Sequence, residues 1–204
     1  QQVADDRARI REELMQELAG FQELSRVTGK GAVPVDHFFT VKGIGVVVLG
    51  GVVGGAIFRH DMLRIYPTTL TAQVRSIQKH EDYSDSAVSG DRVGLALKGV
   101  EVEDLDRGFV LSANPDLTSS LTLSGRASLV QYWPSPLKDE MIIHVGHWMQ
   151  FLPARVAFVD NSGDWRRPHV TLRTSRELVY FPGDRIILHY LEGGKLRVVG
   201  TMVI

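Results

Sequence analysis

The chain contains no cysteine. Disulfides, thiolate nucleophiles and cysteine-bound metals are excluded together, and the lack suits a reducing, cytoplasmic setting. It has no surplus of either charge: 23 Lys and Arg against 24 Asp and Glu leave a net charge of −1. Any contact with nucleic acid must therefore come from a local basic patch. No apolar leader follows Gln1, where the sequence is polar and of mixed charge, so no signal peptide is read there. Long apolar runs are missing too. Gly43 to Phe58 carries no charge, but Lys42 and Arg59 bracket only about 16 residues, short of the roughly 20 that a membrane helix needs. Neither G-x-x-x-x-G-K-[ST] nor G-x-G-x-x-G ahead of a helix occurs, and no serine sits in a G-x-S-x-G elbow. Phosphate-loop and serine-hydrolase chemistry thus have no support in this chain, which is not read as an enzyme.

What is present describes an ordinary globular protein: 204 residues, 44% apolar, enough for one or two domains. Residues 1 to 25 carry a helical stripe of Ile10, Leu14, Leu18 and Phe21. After Pro34 the texture changes to short strands. Val35 to Gly55, valine-rich and broken by glycines, predicts a strand, a tight turn and a second strand. Phe38 to Val41, Gly45 to Leu49, Val52–Val53, Ala56 to Phe58, Met62 to Tyr66, Thr71 to Gln78, Val93 to Leu97 and Val110–Leu111 form one set of strands. In the sixth of these, Ala72 and Val74 share a face while Ile77 falls on the other. His80 to Ser89 reads as a polar loop. Asn114-Pro115-Asp116 is a turn, and further strands follow, with His169 to Leu172 and Leu178 to Phe181 read as two of them. The expected architecture is all-β: two consecutive small β-barrels preceded by an N-terminal α-helix, divided as 1–33, 34–113 and 114–204.

Several constellations offer chemistry. His144 and His147 are three apart. On a strand that spacing turns them to opposite sides, and no third ligand is near, so no metal is assigned. Asp160-Asn161-Ser162-Gly163 is a turn, and Glu101, Glu103, Asp104 and Asp106 form a solvated acidic surface. Trp165-Arg166-Arg167 places two arginines beside an aromatic, a pattern suited to a phosphate backbone. Gln78-Lys79-His80 and Asp91-Arg92 stand at strand ends, where barrels present ligand-binding side chains.

A family resemblance rests on particular residues. Asp36-His37-Phe38-Phe39-Thr40-Val41-Lys42-Gly43-Ile44-Gly45, followed by Val47 and Gly50, resembles the opening of domain II in translational GTPases of the elongation factor Tu and elongation factor 1-alpha group. Ser89-Gly90-Asp91-Arg92-Val93-Gly94-Leu95 and the exit Asp106-Arg107-Gly108-Phe109-Val110-Leu111 continue the match. Phe181-Pro182-Gly183-Asp184-Arg185 and Glu192-Gly193-Gly194-Lys195 are similar to domain III. Gln78 and Glu81 replace a Glu and an Arg of elongation factor Tu, and Arg92 replaces a common Asn, which leans toward the selenocysteine-specific branch. There a cation would complement a selenolate.

The resemblance implies a tRNA-binding module without catalysis of its own. Val47, Gln78, His80 and Arg92 would meet the aminoacyl end, while Gly193, Lys195, Arg166 and Arg167 would meet the stem. GTP and magnesium would belong to a GTPase domain upstream, and the chain itself would hold no cofactor. The implied partners are aminoacyl-tRNA and the ribosome, with no DNA and no membrane. The competing expectation is a protein-interaction module without an RNA ligand, dimerising through residues 1–25.

Overall fold

In the computed structural model, residues 29–192 and 197–204 are described. The expected N-terminal helix and the Gly193–Lys195 pair therefore lie outside the described residues. No helix among the described residues is long and apolar enough to cross a membrane.

The first barrel closes six strands: β1 (Ala32–Val41), β2 (Gly45–Gly51), β4 (Met62–Tyr66), β5 (Thr71–Lys79), β8 (Arg92–Lys98) and β9 (Val110–Ser112). Their order is β4-β9-β1-β2-β8-β5, and β5 pairs back to β4. Alternation decides which residues fill it. Val46 and Val48 of β2, Leu63 and Ile65 of β4, and Val93, Leu95 and Leu97 of β8 all point inward and are buried. β1 and β2 form the expected hairpin, whose turn carries Gly43 and Gly45 at positive φ.

Three expectations need correction. β1 begins at Ala32, well before Phe38, and runs through Pro34, which pairs with Val110 of β9 and precedes the β1–β2 ladder that starts at Val35. Ile77 is buried with Ala72 and Val74, because the register between β5 and β8 shifts between Val74 and Ser76. One extra residue there reverses the alternation. The stretch read as a polar loop holds two short strands, β6 (Asp82–Ser84) on β5 and β7 (Ser86–Val88) on β3 (Ala56–Phe58).

The second barrel comprises β10 (Thr118–Leu129), β11 (Ile142–His147), β12 (Gln150–Asp160), β13 (His169–Tyr180), β14 (Arg185–His189) and β15 (Val198–Val203), closed in the order β10-β13-β12-β11-β14-β15. Here the two short strands expected at 169–172 and 178–181 are one strand, β13, with an irregularity in its pairing to β10 between Ser120 and Thr122. Leu123, Val145, Val156, Leu172, Ile186 and Met202 fill the interior.

A third apolar cluster joins the barrels: Ala32 and Val110 from the first, Leu117 and Val179 from the second, flanked by Tyr66, Trp148 and Phe181. Gln150 braces the second-barrel side of this seam by a two-point amide clamp. Its Nε2 donates to the Val179 carbonyl at 2.7 Å, and its Oε1 accepts from the Val179 N–H at 2.8 Å. Both pairs are buried, so removing the amide strands two backbone groups without water. Gln150→Ala is expected to destabilise the chain by about 2–3 kcal/mol, read as a lowered urea midpoint, whereas Gln150→Glu should keep the acceptor and lose the donor.

Candidate functional site

The outward residues of β8 organise the face of the first barrel. Arg92, Gly94 and Ala96 stand on one side of that strand, successive ones about 7 Å apart. Each heads a lateral row set by register. Ala96 pairs with Val47, which in turn faces Phe39, and on its other side with Ser76. Gly94 pairs with Leu49 and Gln78, so that His37, Leu49, Gly94, Gln78 and Tyr83 cross five strands in line. Arg92 pairs with Gly51. The structure thus gathers Val47, Gln78 and Arg92 onto neighbouring rows of one face.

The middle row has a particular shape. Gly94 has no side chain, and a Cβ there would sit 3.4 Å from Leu49 Cδ2 and 3.9 Å from Gln78 Cβ. The result is a shallow trough with an apolar edge at Leu49, an amide edge at Gln78, and an aromatic end at Tyr83, which is 70% exposed. A planar group can lie along it and still reach a hydrogen-bonding side chain. His80 stands apart from the trough. With Glu81 it forms the two-residue loop of the β5–β6 hairpin, both at positive φ (49° and 73°), and its side chain is at the tip.

Arg92 is not a free cation. Asp36 Oδ2 accepts from its guanidinium at 2.8 Å, while Oδ1 lies 3.4 Å from Arg107 and 3.3 Å from His37 Nδ1. The Asp36 side chain is only 12% exposed, whereas that of Arg92 is 61% exposed. The acid is the fixed element and aims the arginine outward. The Arg92 hydrogen bond, followed by the His37 contacts, holds the Asp36 carboxyl below the ordinary carboxylate range despite partial desolvation.

In the second barrel, Arg166 is already engaged. Its Nη1 donates to the Val130 carbonyl at 3.1 Å, and its guanidinium lies 4.3 Å from the Trp165 ring centroid. Arg167 is exposed. The 161–168 loop shares one end of the barrel with the hairpin between β14 and β15. Leu129 donates to the Arg166 carbonyl, Val130 donates to Val199, and Tyr190 donates to Arg197 as the chain leaves that hairpin. Between the barrels lies a cleft of about 860 Å³ lined by Asp106, Arg107, Trp148, Phe151, Arg176 and His189. Arg176 bridges it to Asp106 at 3.0 Å. Burial, and then the neighbouring His144, lower the pKa of His189.

Residues 45–112 match the family model for elongation factor Tu domain 2. This stretch is similar to elongation factor Tu domain 2. It spans β2 to β9 and therefore contains the trough, with Asp36 and His37 just ahead of it. An uncharacterized protein of Methanocaldococcus jannaschii is 34% identical over 170 residues, 83% of this chain and 52% of its own length. The selenocysteine-specific elongation factor of Desulfomicrobium baculatum is 32% identical over 174 residues, 80% of this chain and 27% of its own length. The chain thus spans about half or less of these relatives. Its fold is that of the apo form of translation elongation factor SelB from Methanococcus maripaludis, with a TM-score of 0.82 at 24% identity over 97% of this chain and 47% of that one. The two-barrel resemblance expected from the motifs holds.

Sequence reading missed Asp36 as the anchor of Arg92, and it missed His37, Leu49, Gly94 and Tyr83 as members of the domain 2 row. The missing signal was register. Asp36 was visible only as the first residue of a motif, and Tyr83 lay in a stretch taken for loop.

The anchoring carries a pH signature. A lowered carboxyl pKa means that the contribution of Asp36 is complete above the ordinary carboxylate range and is lost as pH falls through its lowered midpoint. In a carbon-detected NMR titration, Asp36 is expected to titrate below a solvated aspartate, and Arg92→Ala should move its midpoint up. An unchanged midpoint in Arg92→Ala would break the tether.

Proposed function

We propose that this chain is the non-catalytic tRNA-binding part of a SelB-like elongation factor, with the trough of its domain 2 barrel holding the aminoacyl end of a charged tRNA. The observation that carries this reading is the row through Gly94, because it combines a flat apolar floor with a polar edge inside a domain 2 barrel. The terminal adenine lies over Leu49 and Gly94. The Gln78 amide, which both donates and accepts, takes a ribose hydroxyl. Val47, one row along, lines the apolar side, and His80 at the hairpin tip borders the entry.

Arg92 then faces the esterified amino acid. Its direction is set by Asp36, so it offers a positioned guanidinium to an anionic or strongly polarised side chain, which suits a selenolate better than an aliphatic group. Arg166 and Arg167 at one end of the second barrel, together with Gly193 and Lys195, contact the stem through phosphates. Those contacts position the tRNA and carry no sequence information. GTP binding and hydrolysis fall to a GTPase domain upstream in the full-length protein, and the coding sequence preceding Gln1 tests that part.

The test of the site is protection of the ester. The spontaneous deacylation rate of charged tRNA is measured with and without the chain, alongside binding of charged and uncharged tRNA across a salt series. The expected outcome is slower deacylation and a preference for charged tRNA, both reduced by Gly94→Leu, which fills the trough, and by Gln78→Ala. Equal binding of charged and uncharged tRNA removes the aminoacyl-end reading. If no RNA binds at low salt, the chain is a protein-interaction module instead.

A further inference from the structure

We propose that the outer face of the second barrel binds single-stranded RNA, with Phe158 as a stacking platform and the guanidinium groups of Arg173 and Arg126 as phosphate partners. This face is separate from the trough and abuts the loop end already assigned to the tRNA stem, where Arg126 and Arg167 line one hollow.

The first observation is the direction of Phe158. Val156 is fully buried, so an unbroken β12 would point Phe158 inward as well. The pairing of β12 with β13 breaks between Val156 and Phe158. That irregularity turns the ring out, where it is 54% exposed. Bulges of this kind re-aim a side chain, and here the residue delivered to solvent is a large aromatic.

The second observation is where unpaired positive charge collects. In the first barrel every described arginine is engaged: Arg59 with Asp85, Arg64 with the Thr68 carbonyl, Arg75 with the Ile44 carbonyl, and Arg92 and Arg107 with Asp36. In the second barrel Arg126, Arg167, Arg173 and Arg185 have, among the described residues, neither a carboxylate within 4.0 Å nor a side-chain hydrogen bond. Arg173 stands directly opposite Arg155 in the β12–β13 register. Like charges so placed repel, and Glu140, 3.0 Å from Arg155, is the carboxylate that relieves the pair. An anion beside Arg173 would complete the compensation.

These features lie in successive rows. Arg155, Arg173 and Thr122 form one; Phe158, Thr171 and Ser124 the next; Asp160, His169 and Arg126 the third. The aromatic row is thus flanked on both sides by arginines, each about 7 Å away along the strands. A hollow of about 530 Å³, lined in part by Ile142, Pro153 and Ser175, adjoins the first row. Asp160 stays ionised at the β12 edge, because hydrogen bonds from Ser162 and then desolvation set its pKa, with the net effect downward. It therefore steers a polyanion toward β13 and β10, where Arg173 and Arg126 are. A single strand fits, because a ring at the centre of the face needs an unstacked base, which a duplex does not offer.

The test uses the whole chain and a labelled twelve-nucleotide oligouridylate, read by fluorescence anisotropy over a salt series. Binding is expected, about tenfold weaker in Phe158→Ala and retained in Phe158→Tyr. The double variant Arg126→Ala/Arg173→Ala should reduce the slope of log affinity against log salt by about 1.4, at about 0.7 per phosphate contact on a single strand. No binding at low salt, full binding by Phe158→Ala, or equal competition by inorganic polyphosphate each overturns the proposal. Phe158→Ala should leave ester protection intact. If protection is absent in the native chain while oligouridylate still binds, the trough reading fails and this one stands.

Discussion

One backbone contact sets the geometry of the first barrel. β2 crosses β1 so closely that a Cβ at Gly50 would overlap the Pro34 carbonyl and the Val33 side chain. Only glycine allows that approach. It occurs where β1 bulges between Val35 and His37, and it locks which residue of β2 faces which residue of β1. From there the register propagates, since β2 fixes β8 and β8 fixes β5. A slip of one residue would exchange the inner and outer faces. Val46 and Val48 would turn to solvent, and the row from His37 through Gly94 to Tyr83 would cease to exist. The core and the candidate site are two faces of one register choice.

The all-β class was legible because valine-rich alternation and glycine-bounded turns are local signals. The β1–β2 hairpin was read correctly from Gly43 and Gly45. What escaped were irregularities that need a partner strand to be seen. Nothing in Thr71 to Lys79 announces that an extra residue before Ser76 turns Ile77 inward. Equally, nothing local to Phe158 announces that it faces out. The early start of β1 was missed for the opposite reason, because Pro34 argues against a strand unless its missing N–H falls outside a ladder, as it does ahead of the β1–β2 pairing.

The candidate site was half legible. Gln78, Val47 and Arg92 came from motif correspondence, and register places them on neighbouring rows. Asp36, which lies 56 positions from Arg92 in sequence, is paired to it only by the fold. His80 was chosen for its place beside Gln78 in sequence, yet the two-residue turn carries it to the hairpin tip. Arg166 illustrates the same limit in the second barrel. Its neighbour Trp165 suggested a phosphate-binding pair, but the guanidinium spends a donor on the Val130 carbonyl and covers the indole. An arginine beside an aromatic in sequence can brace a loop with one nitrogen and keep its other donors for a phosphate, and only the geometry shows the first use.

The barrels also differ in how they hold their arginines. In the first, each described arginine is held by a carboxylate or a carbonyl, so its direction is set before any ligand arrives. Arg92 on Asp36 is the clearest case. A held guanidinium gives up some attraction for an anion in exchange for a fixed orientation, which suits discrimination between chemical groups at one point. In the second barrel, Arg126, Arg167 and Arg173 keep their donors and their rotational freedom. Free arginines on an open sheet suit a long, repeating polyanion, because each can adjust to a phosphate whose position is not known in advance. With a net charge of −1 over the whole chain, the proposed RNA contacts depend on where arginines are left without a carboxylate rather than on overall charge.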